Sequence, residues 1–192
     1  MQKFPLVIDL ETKHTFREFS EPGQLGISVV AAYDYSDKTE HVYTEDELNK
    51  LFPLIENSSY IVGYNITSFD LPVLQAYYPG DVSALPQFDI LDDIRLKIGR
   101  RIGLNDVAFA TLGEKKTGHG LMAIDYFKEG RWEDLKRYCM DDVLVTKKLF
   151  EYGLENKEIF YMNELGKVAI RVDWKRYMEE SGSTETAMTL PF

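Results

Sequence analysis

Five side chains in this sequence are of the right type and spacing for shared chemistry: Asp9, Glu11, Asp70, Tyr138 and Asp142. Asp9 and Glu11 are two residues apart. On a strand they point to the face that also carries Val7, about 6–7 Å from each other by the rise per residue. Tyr138 and Asp142 are four apart, hence on one face of a helix, one residue off its apolar stripe. Asp70 sits in the segment IVGYNITSFDLPVL, where an apolar strand hands over to a helix and a core should reject carboxylates. Each has an ordinary explanation alone. The first pair could be strand-end charge, the second a polar helix edge, and Asp70 a cap or first-turn charge favoured by the helix dipole. Thr67 and Ser68 are equally good caps, however, and capping leaves Asn65 and Phe69 unexplained.

Taken together, four acids and a tyrosine lie at the ends of elements able to meet at one sheet edge. Four converging carboxylates repel one another unless cations neutralise them. Hard oxygen ligands suit Mg²⁺ or Mn²⁺. Two such ions about 3.5–4 Å apart are a known device for in-line phosphoryl chemistry. Competing patterns are missing, with no P-loop, HExxH, CxxC or GxSxG in the chain.

The elements that must position these groups follow from hydrophobic period. Phe4 to Leu10 alternates as a strand. Gly26 to Asp34 is a second strand and Thr39 to Tyr43 a third, forming a meander. Thr44 to Glu47 reads as a capping box opening a helix with the stripe Leu48, Leu51, Phe52 and Ile55, which Pro53 should bend or shorten. Tyr60 to Tyr64 is a fourth strand, with a helix after Phe69. Asp89 caps a helix through Asp92 to Ile98, Asn105 to Leu112 forms another, and TGHG (117–120) is a glycine-rich, mobile loop. Trp132 to Tyr152 is the best helix, its stripe Leu135, Cys139, Val143, Thr146 and Phe150. Strands first, then strand and helix alternating, give an α/β fold around a mixed sheet. Residues 155–177 add a strand pair or a helix at the sheet edge.

Composition sets the frame. The 192 residues suffice for one domain with a proper core, taken as 1–180, followed by a flexible tail over 181–192. The apolar run at the N-terminus is too short for a signal peptide or membrane span, so the default location is cytoplasmic. The single cysteine excludes an internal disulfide and fits a reducing compartment. A net charge of −10 argues against binding nucleic acid through a broadly basic surface. Local clusters soften that argument, in RLKIGRR (95–101) and at Lys115 and Lys116. A deep acidic site that takes up cations also carries such charge.

VIDLET (7–12), GYNITSFDLPVL (63–74) and YCMDD (138–142) resemble, in order, the three motifs of the DEDD 3′→5′ exonucleases, which have the RNase H-like fold. Tyr138 places the chain in the DEDDy branch; the alternative branch needs a histidine where Arg137 stands. LNDVAFATLGEKK is similar to the stretch before the third motif in the proofreading domains of family-B DNA polymerases. The resemblance covers roughly residues 4 to 152, without a polymerase domain. It implies a mixed five-stranded sheet flanked by helices. It also implies two divalent cations, Mg²⁺ or Mn²⁺, held by Asp9, Glu11, Asp70 and Asp142. Asp9 would bridge both, Glu11 and Asp142 would hold the one that activates water, Asp70 would support the second, and Tyr138 would orient the water. Thr12, Asn65 and Phe69 would contact the terminal nucleotide, Phe69 by packing on a base.

The activity implied is trimming of single-stranded 3′ ends to nucleoside 5′-monophosphates, DNA favoured, in replication or repair. RNA trimming is the alternative, and a non-catalytic module binding nucleic-acid ends or a replication partner is the rival from another class. Monomer is the default. The terminal AMTLPF faintly resembles peptides that bind the sliding clamp, although the usual glutamine is missing; an unstructured end without a partner is the simpler reading.

Overall fold

The computed structural model describes residues 2–114 and 122–178. The TGHG loop, Lys115, Lys116 and the 181–192 tail lie outside the described residues. The main sheet has five strands: β1 (Leu6–Thr12), β2 (Ile27–Asp34), β3 (Thr39–Thr44), β4 (Ile61–Gly63) and β5 (Gln87–Asp89), in the order β3-β2-β1-β4-β5. The β1-β2-β3 meander is antiparallel, whereas β4 and β5 run parallel to β1. This is the mixed α/β sheet that the sequence implies.

As the central strand, β1 is buried on both faces, and its alternation therefore sorts two cores. Leu6, Ile8 and Leu10 pack under α1 (Leu48–Asn57) and α2 (Asp70–Leu74). Val7 faces the other way, into a cluster with Leu135, Cys139, Val143 and Phe150 of the long helix α6 (Trp132–Asn156). Continuing that second face, Asp9 and Glu11 are carried toward α6. The strand starts and ends two residues later than the alternation suggests, because the bonding partners of β2 extend to Thr12. Glu11 is thus inside the strand together with Asp9, rather than just beyond its end. At Glu11/Thr12 the register slips, and the extra residue of β2, Ser28, donates to the Glu11 carbonyl at 2.9 Å.

α1 follows a single 3₁₀ turn over Glu45–Glu47, and Thr44 and Glu47 form the capping box foreseen from their spacing. Pro53 does not end the helix, which runs on to Asn57. Proline withholds the N–H that would bond the carbonyl of Asn49, an exposed residue at the first turn, where water is available. Asp89 caps α3 (Ile90–Ile98) by accepting from Leu91 N–H at 2.9 Å. α4 spans Leu104–Leu112 and α5 Met122–Lys128. β5 and α5 are not among the elements expected from the sequence, and for β5 the reason is that a three-residue strand has too few residues to show a period.

Residues 155–177 do form a strand pair, β6 (Glu158–Asn163) and β7 (Gly166–Arg171), but it stands as its own two-stranded sheet rather than extending the main one. The Thr111 hydroxyl of α4 fixes it, donating to the Phe160 carbonyl and accepting from the Phe160 N–H at 2.8 Å. Beyond it, Trp174 is 1% exposed and lies against α6 at Gly153, where a Cβ would meet the indole at 2.2 Å. Among the described residues no helix is long and apolar enough to cross a membrane.

Candidate active site

The carboxyl ends of the three parallel strands gather the polar residues, the usual place for a site in such sheets. Asp9 and Glu11 come from the end of β1. Asp142 comes from α6, and one carboxylate oxygen from each of the three lies within 4.8 Å of the others. The helix brings Asp142 there because its apolar stripe seats Cys139 and Val143 on the sheet. Cys139 packs directly beneath the cluster, its Sγ 3.4 Å from the Asp9 carbonyl oxygen and 3.7 Å from Asp9 Oδ2. Burial pushes this thiol well up, with Asp9 and Glu11 adding to the effect, so it stays protonated and acts as a small apolar filler.

Asp70 reaches the same place from the opposite core. It is the first residue of α2, yet its carboxylate does not cap that helix. It accepts from the Leu10 N–H of β1 at 3.0 Å. Asp70 is 3% exposed, and burial pushes its carboxyl up to about 7 against the lowering effect of the Leu10 N–H; Asp89 and Asp142 raise it further. This polar group inside an apolar segment is therefore held across the sheet, toward the other acids.

The turn between β4 and α2 is braced from below. Asn65 has a φ of +70°, the left-handed region, and its N–H donates to Asp89 Oδ1 at 2.8 Å. Thr67 donates to Asp89 Oδ2 from its N–H at 3.0 Å and its hydroxyl at 2.8 Å. One buried carboxylate thus ties the strand-to-helix turn to the cap of α3. Gly63 just before it admits no side chain, since a Cβ would meet Ile66 at 2.2 Å. Arg101 donates to Asn65 Oδ1.

Asp9, Glu11, Thr12, Asn65, Phe69 and Asp70 line one open cleft of about 340 Å³. Phe16, 51% exposed, joins its rim and meets Phe69 edge-on at 5.9 Å. Thr12 is buried and donates its hydroxyl to the His14 carbonyl at 2.8 Å. Tyr138 is not part of that lining. It is buried one turn before Asp142, its ring edge-on to Tyr126 at 6.3 Å. Sequence reasoning missed Phe16 and the bracing role of Asp89. An exposed phenylalanine in the polar run KHTFREF is a signal for the first; for the second there is none, since a cap explains Asp89 locally.

Three carboxylates this close, with a fourth beside the same cleft, form a donor set of hard oxygens that fits Mg²⁺ or Mn²⁺. A family model of the RNase_H superfamily matches residues 6–153, and the chain belongs to that superfamily. No curated protein sequence matches it. Among solved structures it is similar to the family B DNA polymerase of the hyperthermophilic archaeon Pyrobaculum calidifontis, at 22% identity and a TM-score of 0.59 over 80% of this chain. It is also similar to the RNase D of Trypanosoma brucei, at 15% identity and a TM-score of 0.57 over 78% of this chain. The chain spans 25% of the polymerase and 57% of the RNase D, so the likeness is one of fold.

Proposed function

We propose that the chain is a metal-dependent 3′→5′ exonuclease acting on single-stranded ends, DNA favoured, and releasing nucleoside 5′-monophosphates. The observation that carries this reading is the meeting of Asp9, Glu11 and Asp142 within 4.8 Å beside a cleft that Asp70 shares. Asp9, Glu11 and Asp142 would hold one divalent cation, and Asp9 with Asp70 would serve a second. Bound there, such ions supply a nucleophile at neutral pH and neutralise the charge that develops on the phosphoryl oxygens.

The remaining work falls to the chain's own groups. Phe69 and Phe16 offer ring faces and edges to an unpaired terminal base. Arg101 occupies Asn65 Oδ1, which leaves the amide N–H group of Asn65 to donate to the substrate. Thr12 spends its hydroxyl proton on His14, so its oxygen is placed to accept from a terminal 3′-hydroxyl. Tyr138 would position the attacking water. Such a site would take a splayed single strand, and the protein would work as a monomer in the cytoplasm, with a clamp contact through AMTLPF as a further proposal.

The test is a cleavage assay on 5′-labelled single-stranded DNA and RNA of matched sequence in Mg²⁺, Mn²⁺ or EDTA. A metal-dependent ladder shortening from the 3′ end is expected, faster on DNA. A faster RNA ladder would transfer the reading to RNA 3′-end trimming, and tight binding of both without cleavage would replace it with an end-binding module.

A further inference from the structure

A second groove adjoins the cleft. It is walled by Arg100, Arg101, Ile102, Asp106 and Phe109 on the α3–α4 side and by Met162 of the β6–β7 hairpin. Its volume is about 510 Å³, larger than the cleft itself. The two share a wall. Tyr64 and Asn65 line the cleft, and each is bonded to a residue of the groove, Tyr64 donating to the Ile102 carbonyl at 2.7 Å and Asn65 accepting from Arg101. A ligand leaving the cleft past Asn65 therefore enters the groove directly.

The chemistry of the groove is unlike that of the rest of this acidic protein. Arg95 and Lys97 nearby are engaged with Asp92 and Asp93. Among the described residues, the partners of Arg100 and Arg101 are instead the Tyr161 ring, 4.9 Å from the Arg100 guanidinium, and the Asn65 amide. Phe109 at 42% and Met162 at 50% exposure give it apolar floor and rim. Asp106 is the one acid among its walls in the described residues. Paired guanidinium groups beside exposed aromatic and thioether surface match a phosphodiester backbone carrying unpaired bases.

We propose that this groove binds the upstream part of the single strand, the nucleotides on the 5′ side of the terminal residue. Arg100 contacts backbone phosphate, and Phe109 and Met162 pack against bases. The hairpin, which forms a sheet of its own, then serves as the outer wall of a strand path. This inference rests on the exonuclease reading above, and it explains how a protein of net charge −10 holds a polyanion: the attraction is local and backbone-directed.

The experiment is fluorescence anisotropy with 5′-labelled oligothymidylates of three, six and ten nucleotides, with Ca²⁺ replacing the activating ion. The wild-type protein is compared with Arg100→Ala and Arg100→Glu. Arg100 is exposed, so both variants should keep the wild-type thermal midpoint. Binding by the wild type should tighten about tenfold or more from the trinucleotide to the decanucleotide. Arg100→Ala should lose most of that gain and flatten the salt dependence by about 0.7 in log–log slope, one phosphate contact on a single strand. Arg100→Glu should lose the gain entirely. A gain with length that is the same in all three proteins would overturn the groove. Trimming of the decanucleotide by the wild type in Mn²⁺ is scored separately. Its absence would sink the exonuclease reading, even where a length effect lost in Arg100→Ala upholds the groove as a single-strand surface.

Discussion

Among the described residues, two trios of side chains able to ligate a metal each gather their polar atoms within 4.8 Å, and they have little else in common. One is Asp9, Glu11 and Asp142; the other is Asp34, Asp37 and His41. The second group is a product of a tight turn between β2 and β3, all within eight residues of chain. Its polar atoms serve that turn. Asp34 accepts from the Ser36 N–H at 2.7 Å, and Asp37 accepts from the Thr39 N–H at 3.1 Å and its hydroxyl at 2.6 Å. His41 lies against Thr39 and Tyr43 through its two ring nitrogens. The first group draws on β1 and α6, which are more than a hundred residues apart in the chain. It lies beside a cleft, with Asp70 held toward it from a third element. Proximity of carboxylates is therefore a poor criterion by itself. What separates the two is that local backbone bonding accounts for one, and only long-range packing accounts for the other.

The sharpest way to break this contrast is to remove one acid from each group. Asp142→Ala should lower hydrolysis of a single-stranded end by about 10³-fold or more, while Asp37→Ala leaves it at the wild-type rate. Mn²⁺ at about a hundred times its dissociation constant should raise the thermal midpoint of the wild type and of Asp37→Ala by about 5–10 °C. Asp142→Ala should show no such rise. Equal losses in both variants, or a metal shift that follows Asp37, would reverse the assignment of the two groups.

A second, smaller effect concerns charge in the absence of metal. The Asp70 carboxyl titrates near 3.9 in an unfolded chain and near 7 when folded, so the folded state keeps the proton between those values. The stability this contributes is complete below about pH 4 and disappears as the pH rises through 7. In EDTA, Asp70→Asn should match the wild type near pH 4 and exceed it by a few kcal/mol at pH 8, measured by urea unfolding. Parallel pH profiles would mean that Asp70 is not strained by burial. The smallest effect sharpens the site itself. Tyr138→Phe should lower kcat about tenfold with little change in KM, because a positioned water is disordered while the acids stay in place. A wild-type kcat would remove Tyr138 from the reaction.

Much of the fold was legible because period survives in the residues themselves. The stripe of α6 and the capping box before α1 have the spacing of the structures they form. The motif order likewise makes Asp9, Glu11, Asp70 and Asp142 candidates, and the fold brings Asp9, Glu11 and Asp142 together with Asp70 beside them. Short elements escaped, as β5 did, because three residues carry no period. The hairpin β6–β7 was half-read. Its strands are β-branched and aromatic, but that pattern does not say which surface they cover, and the Thr111 hydroxyl decides it. Gly153 in a helix and Trp174 near the end of the described chain look unrelated in sequence, and only packing shows that one makes room for the other.

The sequence by itself determined which groups could act, since residue type and spacing set the face on which each side chain stands. Tertiary structure alone decided where those faces meet. It turned Asp70 away from its own helix to the Leu10 N–H, let Asp89 brace the turn at Asn65, and laid the arginine groove against the cleft. Each of these is a contact between residues distant in the chain, and its geometry depends on how whole elements pack, which local propensity does not encode.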